Sequence, residues 1–63
     1  MKTFDLYDSL GNWITCVRAK TISGACSVLN SPRLGYHTFR WVNNSGKSYS
    51  RDVYIEGYKA VLC

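Results

Sequence analysis

The apolar positions of this chain change their spacing twice. Phe4 and Leu6, then Ile14 and Cys16, sit two apart, the spacing of one face of a strand. Over residues 21–30 the period lengthens. Ile22, Ala25, Cys26 and Leu29 fall at i, i+3, i+4 and i+7 and make one apolar stripe of an α-helix. Thr21 suits its N-cap, and Asn30 followed by Pro32 supplies a stop. After a loop over 31–35, residues 36–42 are rich in aromatic and β-branched side chains, as a strand should be. A helix this short is not stable alone, so it must lean on the strands around it.

The loops set the phase of those strands. Asp8-Ser9-Leu10-Gly11-Asn12 suits a type I turn with Gly11 in the left-handed region. Pairing Asp8 with Asn12 turns Phe4, Leu6, Ile14 and Cys16 toward the helix, with Leu6 opposite Ile14 and Phe4 opposite Cys16. It turns Tyr7, Trp13 and Val17 away. Asn43-Asn44-Ser45-Gly46-Lys47 repeats that chemistry. The same register pairs Trp41 with Tyr49, Phe39 with Arg51 and His37 with Val53 on one side. On the other it pairs Tyr36 with Tyr54, Thr38 with Asp52 and Arg40 with Ser50. Glu56-Gly57 marks a further turn, and residues 58–63 a short last strand with Ala60 and Leu62 on one side. The fold expected is α+β: an antiparallel sheet of four or five strands built from two β-hairpins, with one short helix packed on one face, in the order ββαββ(β). Residues 1–63 form a single domain.

A domain of 63 residues buries a small core, so oligomerisation or docking on a partner is an expected source of extra stability. The first residues carry Asp5 and Asp8 where a signal peptide needs an apolar run, and no stretch reaches membrane-spanning length. A cytoplasmic location is expected, with the three cysteines reduced and no membrane partner. The net charge is +4, and no carboxylate occurs between Ser9 and Arg51 while Arg18, Lys20, Arg33, Arg40 and Lys47 do. A field of one sign favours an acidic partner.

The motifs that invite chemistry fail on spacing. Gly46-Lys47-Ser48 lacks the earlier glycine of a phosphate loop, since Trp41 stands there, and a strand follows it. Cys16, Cys26, His37 and Cys63 are too dispersed for a zinc site, and a single histidine among scattered acids makes no catalytic constellation. The chain is read as a non-enzyme without cofactor or metal. Asn43-Asn44-Ser45 fits the glycosylation pattern but is more simply a turn.

What remains is the face the helix cannot cover. Tyr7, Trp13, Tyr36, Arg40 and Tyr54 gather there in the expected register, and Arg33 and Lys47 join them as candidate binding residues for a partner or a nucleic acid. Aromatic rings and guanidinium groups dominate protein hot spots and also hold single-stranded nucleic acid. A second copy of the chain is a third occupant of such a face.

The order Phe4-Asp5-Leu6-Tyr7-Asp8, Gly11, and then Ala19-Lys20-Thr21-Ile22-Ser23-Gly24-Ala25 resembles small proteins encoded by phages and related mobile elements, with a hairpin, an A-K-[S/T]-[I/L]-S-x-A helix start and a second hairpin. Some of these are anti-CRISPR or other host-defence inhibitors that act by binding. The resemblance covers the first half of the chain and assigns no site residues. It implies a non-catalytic inhibitor in the cytoplasm of a bacterial host, docking a basic, aromatic surface on a host protein or ribonucleoprotein complex that handles nucleic acid. The alternative is a module that binds single-stranded DNA or RNA directly.

Overall fold

The computed structural model describes residues 1–29 and 33–63. Strands β1 (Lys2–Asp8) and β2 (Trp13–Ala19) lead into helix α1 (Ile22–Val28), followed by β3 (Arg33–Val42), β4 (Ser48–Gly57) and β5 (Lys59–Leu62). All five strands form one antiparallel sheet in the order β2-β1-β3-β4-β5. This is the expected α+β architecture, with the last strand docked at the sheet edge. Strand β3 begins at Arg33, so Arg33, Leu34 and Gly35 are strand and not loop. Glu56 pairs with Lys59 across a tight turn in which Gly57 takes a φ of 68°.

The two hairpin loops are built alike. Asp8 and Asn43 each accept a hydrogen bond on the carbonyl from the glycine three residues on, and each places a side-chain oxygen on two further amides of its own loop. Gly11 and Gly46 follow at φ 86° and 85°, where a Cβ is disfavoured. The Asn12 amide bonded to Asp8 is the main influence holding that carboxyl below its ordinary range, helped by the Asn12 side chain and the Leu10 amide and opposed by desolvation. A depressed folded pKa gives stability that is present above the unfolded value of about 3.9 and lost as pH falls through the folded one. Asp8→Asn copies the chemistry of Asn43. It is expected to remain folded at neutral pH and to lose less of its melting temperature than the natural chain between about pH 5 and pH 2. Parallel acid slopes in a pair of thermal melts would reject this account.

The second hairpin has the expected register throughout: Trp41 faces Tyr49, Phe39 faces Arg51, His37 faces Val53, and Tyr36, Thr38 and Arg40 face Tyr54, Asp52 and Ser50. The first hairpin departs from it. Tyr7 pairs with Trp13, but Leu6 then pairs with Thr15, Asp5 with Cys16 and Phe4 with Val17. Strand β2 therefore carries one extra residue, Ile14, in a bulge that reverses the phase of everything beyond it. Val17 turns inward against the core and Cys16 outward, the reverse of a regular ladder.

Helix α1 is capped as its sequence suggests: the Thr21 hydroxyl accepts a hydrogen bond from the Gly24 amide at 3.1 Å. It ends at Val28, with Leu29 already extended, and the expected stop at Asn30 and Pro32 lies outside the described residues. All four residues of its stripe reach the core. The helix touches β2 and β5, the two opposite edges of the sheet, so the sheet curls around it. Phe4, Leu6, Phe39, Val53 and Ile55 fill the space beneath and are fully buried. Phe4 and Phe39 meet edge to face, the geometry their ring quadrupoles favour.

Candidate partner-binding face

Three adjacent strands present the face that α1 leaves open. Alternation in β1 points Asp5 and Tyr7 outward because Phe4 and Leu6 are buried. In β3 it points Tyr36, Thr38 and Arg40 outward because His37 and Phe39 are buried, and in β4 it does the same for Asp52 and Tyr54. Asp5 pairs with Arg40 and Tyr7 with Thr38, which brings the first hairpin's aromatic residues beside the second's.

Local contacts fix these side chains. The Arg40 guanidinium lies 5.4 Å from the centroid of the Tyr7 ring, and the Trp13 indole N–H donates to Asp5 at 3.3 Å. Thr38 donates to Asp52 at 3.1 Å. Tyr36 and Tyr54 meet edge to face at 5.0 Å. Trp13 nevertheless remains 57% exposed and Tyr36 65% exposed, so the rings are held in place without being buried.

Of the seven candidate residues, five share this face: Tyr7, Trp13, Tyr36, Arg40 and Tyr54. Arg33 and Lys47 do not join them. Arg33 is in phase with His37 and Phe39 on the helix side, and Lys47 lies in the β3–β4 loop with its ammonium 5.5 Å from the Tyr49 ring, also on that side. Val17 leaves the face because of the bulge at Ile14. Cys16 enters it, and so does Val61, which pairs with Tyr54 and is 62% exposed. Placing Ala60 and Leu62 inward already implied an outward Val61; nothing in the sequence marked Cys16.

Charge divides between the two sides in a way that chain order does not show. The open face holds Arg18, Arg40 and Lys59 together with Asp5, Asp52 and Glu56, and balances. The helix side holds Lys2, Arg33, Lys47 and Arg51 against one side-chain carboxylate, Asp8, which pairs with His37 at the end of β1 far from Lys2. With Lys20 at the turn before α1, the helix side carries three of the four net positive charges. The open face thus carries the expected aromatic residues without the expected excess of positive charge.

The remaining reactive groups are engaged or apart. His37 is buried and donates from Nδ1 to the Gly35 carbonyl at 3.0 Å, which fixes its tautomer because a carbonyl can only accept. Burial pushes the Cys26 thiol up, against a smaller opposing influence of Arg51, while Cys16 and Cys63 are exposed. Among the described residues, no three of His, Cys, Asp and Glu gather where they could hold a metal ion, and no helix is long and apolar enough to cross a membrane.

Fold and face define an α+β sheet domain with one side sealed by a helix and the other open. Compared with protein-family models, curated proteins and solved structures, the chain matches none.

Proposed function

We propose that this chain is a non-catalytic binding protein that docks the open face of its sheet on a larger host protein, within a complex that handles nucleic acid. One observation carries the proposal. One sheet face presents four aromatic side chains and Arg40, held by their neighbours, with Trp13, Tyr36 and Arg40 open to solvent and Tyr7 and Tyr54 half-buried. Tyr, Trp and Arg supply most hot-spot energy in protein interfaces, and side chains already held in place lose less entropy on docking. Balanced charge on this face favours a protein over a polyanion. The setting, a phage-type inhibitor of host defence in the bacterial cytoplasm, rests on the resemblance carried by residues 4–8, Gly11 and residues 19–25.

The test is capture of partners from a bacterial lysate by the immobilised natural chain and by a Trp13→Ala, Arg40→Ala variant. Both side chains are exposed, so the variant should keep the circular dichroism spectrum and fold of the natural chain. Loss of two hot-spot groups is expected to weaken binding by at least about 30-fold. A partner held equally well by both chains would remove the face from consideration. A concentration-dependent dimer abolished by the same substitutions would instead make a second copy its occupant.

A further inference from the structure

We infer that the helix side carries a second binding site, for single-stranded nucleic acid, at the end of the sheet where β3 turns into β4. This inference rests on side chains of the helix side and does not rest on the proposed docking of the open face. It starts from the charge division. Lys2, Lys47 and Arg51 project on the helix side near that end, and the one side-chain carboxylate on that side among the described residues, Asp8, lies beside His37 at the opposite end of β1. Such a group of cations is complementary to a polyanion.

The rings between these cations choose among polyanions. Trp41 and Tyr49 stack 5.7 Å apart with 19° between their planes, and Phe4 lies 5.0 Å from Trp41 on its other flank. Phe4 is tilted 53° to Trp41, so the stack proper is Trp41 on Tyr49, and the row of three rings runs from the core to the surface. Trp41 is enclosed by its two neighbours, whereas Tyr49 is 38% exposed and meets only the Lys47 ammonium beyond the stack. The Tyr49 hydroxyl accepts a hydrogen bond from the Asn43 amide at 3.2 Å, which fixes the ring. A nucleobase can extend the stack by one step on Tyr49, with Lys47 swinging from the ring to the adjoining phosphate. Lys2 and Arg51 lie on either side to neutralise the phosphates before and after it. Arg51 uses only its Nε for the Cys63 carbonyl, which leaves the rest of its guanidinium fork available.

A cleft of about 580 Å³ opens at this end of the sheet; Lys2, Trp41 and Tyr49 reach it from the helix side, while most of its wall, including Tyr7, Arg40 and Ser48, belongs to the open face. Asp5 also lines it from the open face, opposite Arg40 in the β1–β3 register. An acidic peptide meets the charge requirement but has no regular supply of flat rings for Tyr49. A duplex hides its base faces. Single-stranded DNA or RNA meets both requirements.

Fluorescence anisotropy with labelled ten-nucleotide oligo(dT) and oligo(U) tests the inference, beside an abasic oligomer of equal length and poly-glutamate. Both pyrimidine oligomers are expected to bind at low salt with a log–log salt slope near −2, since about three phosphate contacts at about −0.7 each are involved. The abasic oligomer is expected to bind about tenfold more weakly. Tyr49→Ala should lose about tenfold on the natural oligomers and nothing on the abasic one. Lys47→Ala with Arg51→Ala should flatten the slope by more than 1. Trp13→Ala, on the open face, should change neither. Preference for oligo(U) or for oligo(dT) would assign RNA or DNA within the same chemistry. Equal binding of abasic and natural oligomers, tighter binding of poly-glutamate, or no binding at low salt would each overturn the inference.

Discussion

Replacing Phe39 by alanine is expected to leave most of the chain unfolded at room temperature. Phe39 is fully buried on β3, the central strand of the sheet, where it packs edge to face on Phe4 beneath the helix. Removing a buried phenylalanine costs about 3–5 kcal/mol through lost transfer energy and the cavity left behind. The collapse that relieves such cavities is blocked here, because α1 rests on both sheet edges and cannot settle onto the centre alone. At about 0.05–0.15 kcal/mol per residue, a chain of 63 residues has only about 3–9 kcal/mol to lose. Thermal unfolding followed by circular dichroism should show the midpoint falling by at least about 15 °C. A fall below about 5 °C would mean that the core is not organised around this ring.

The second large effect tests the bulge. Val17→Asp is expected to destabilise the domain by about 2–3 kcal/mol, because the bulge at Ile14 aims position 17 at the core beside Phe4, where a carboxylate finds no partner. Cys16→Ser, one residue earlier, should stay within about 0.5 kcal/mol because that side chain faces solvent. A regular ladder exchanges these outcomes. Thiol labelling of the native chain gives the same discrimination: Cys16 and Cys63 should react fast, and Cys26 only after unfolding, since its thiol is buried and held protonated. Slow labelling of Cys16 would contradict the register.

The division of charge bears on how the two proposed sites relate. A protein docked on the open face meets a balanced field, and a nucleic acid bound on the helix side meets most of the excess. The two occupants need not compete, which suits a protein acting on an assembly that contains both protein and nucleic acid.

The second hairpin's register from Tyr36 onward and the helix's apolar stripe were legible residue by residue, whereas the start of β3 at Arg33 and the docking of the last strand were not. The loop from Asn43 to Lys47 allows one pairing only, and alternation carried that pairing the length of β3 and β4 to place Tyr36, Arg40 and Tyr54. The apolar stripe at Ile22, Ala25, Cys26 and Leu29 has no competing phase. Strand β2 was different. In Trp13-Ile14-Thr15-Cys16-Val17, a regular ladder buries Ile14 and Cys16 and exposes Val17, whereas one extra residue lets both Ile14 and Val17 pack against the core. The second arrangement buries more apolar surface, but that gain exists only once Phe4, the helix and the curled sheet are in place. The sequence by itself thus determined the elements, the two loops and one hairpin's register, because these rest on neighbours along the chain. The tertiary structure alone decided the bulge, the exchange of Val17 for Cys16 and the gathering of most of the excess positive charge on the helix side. Each of those depends on which side of the sheet a residue joins, and that is settled by contacts between segments far apart in the chain.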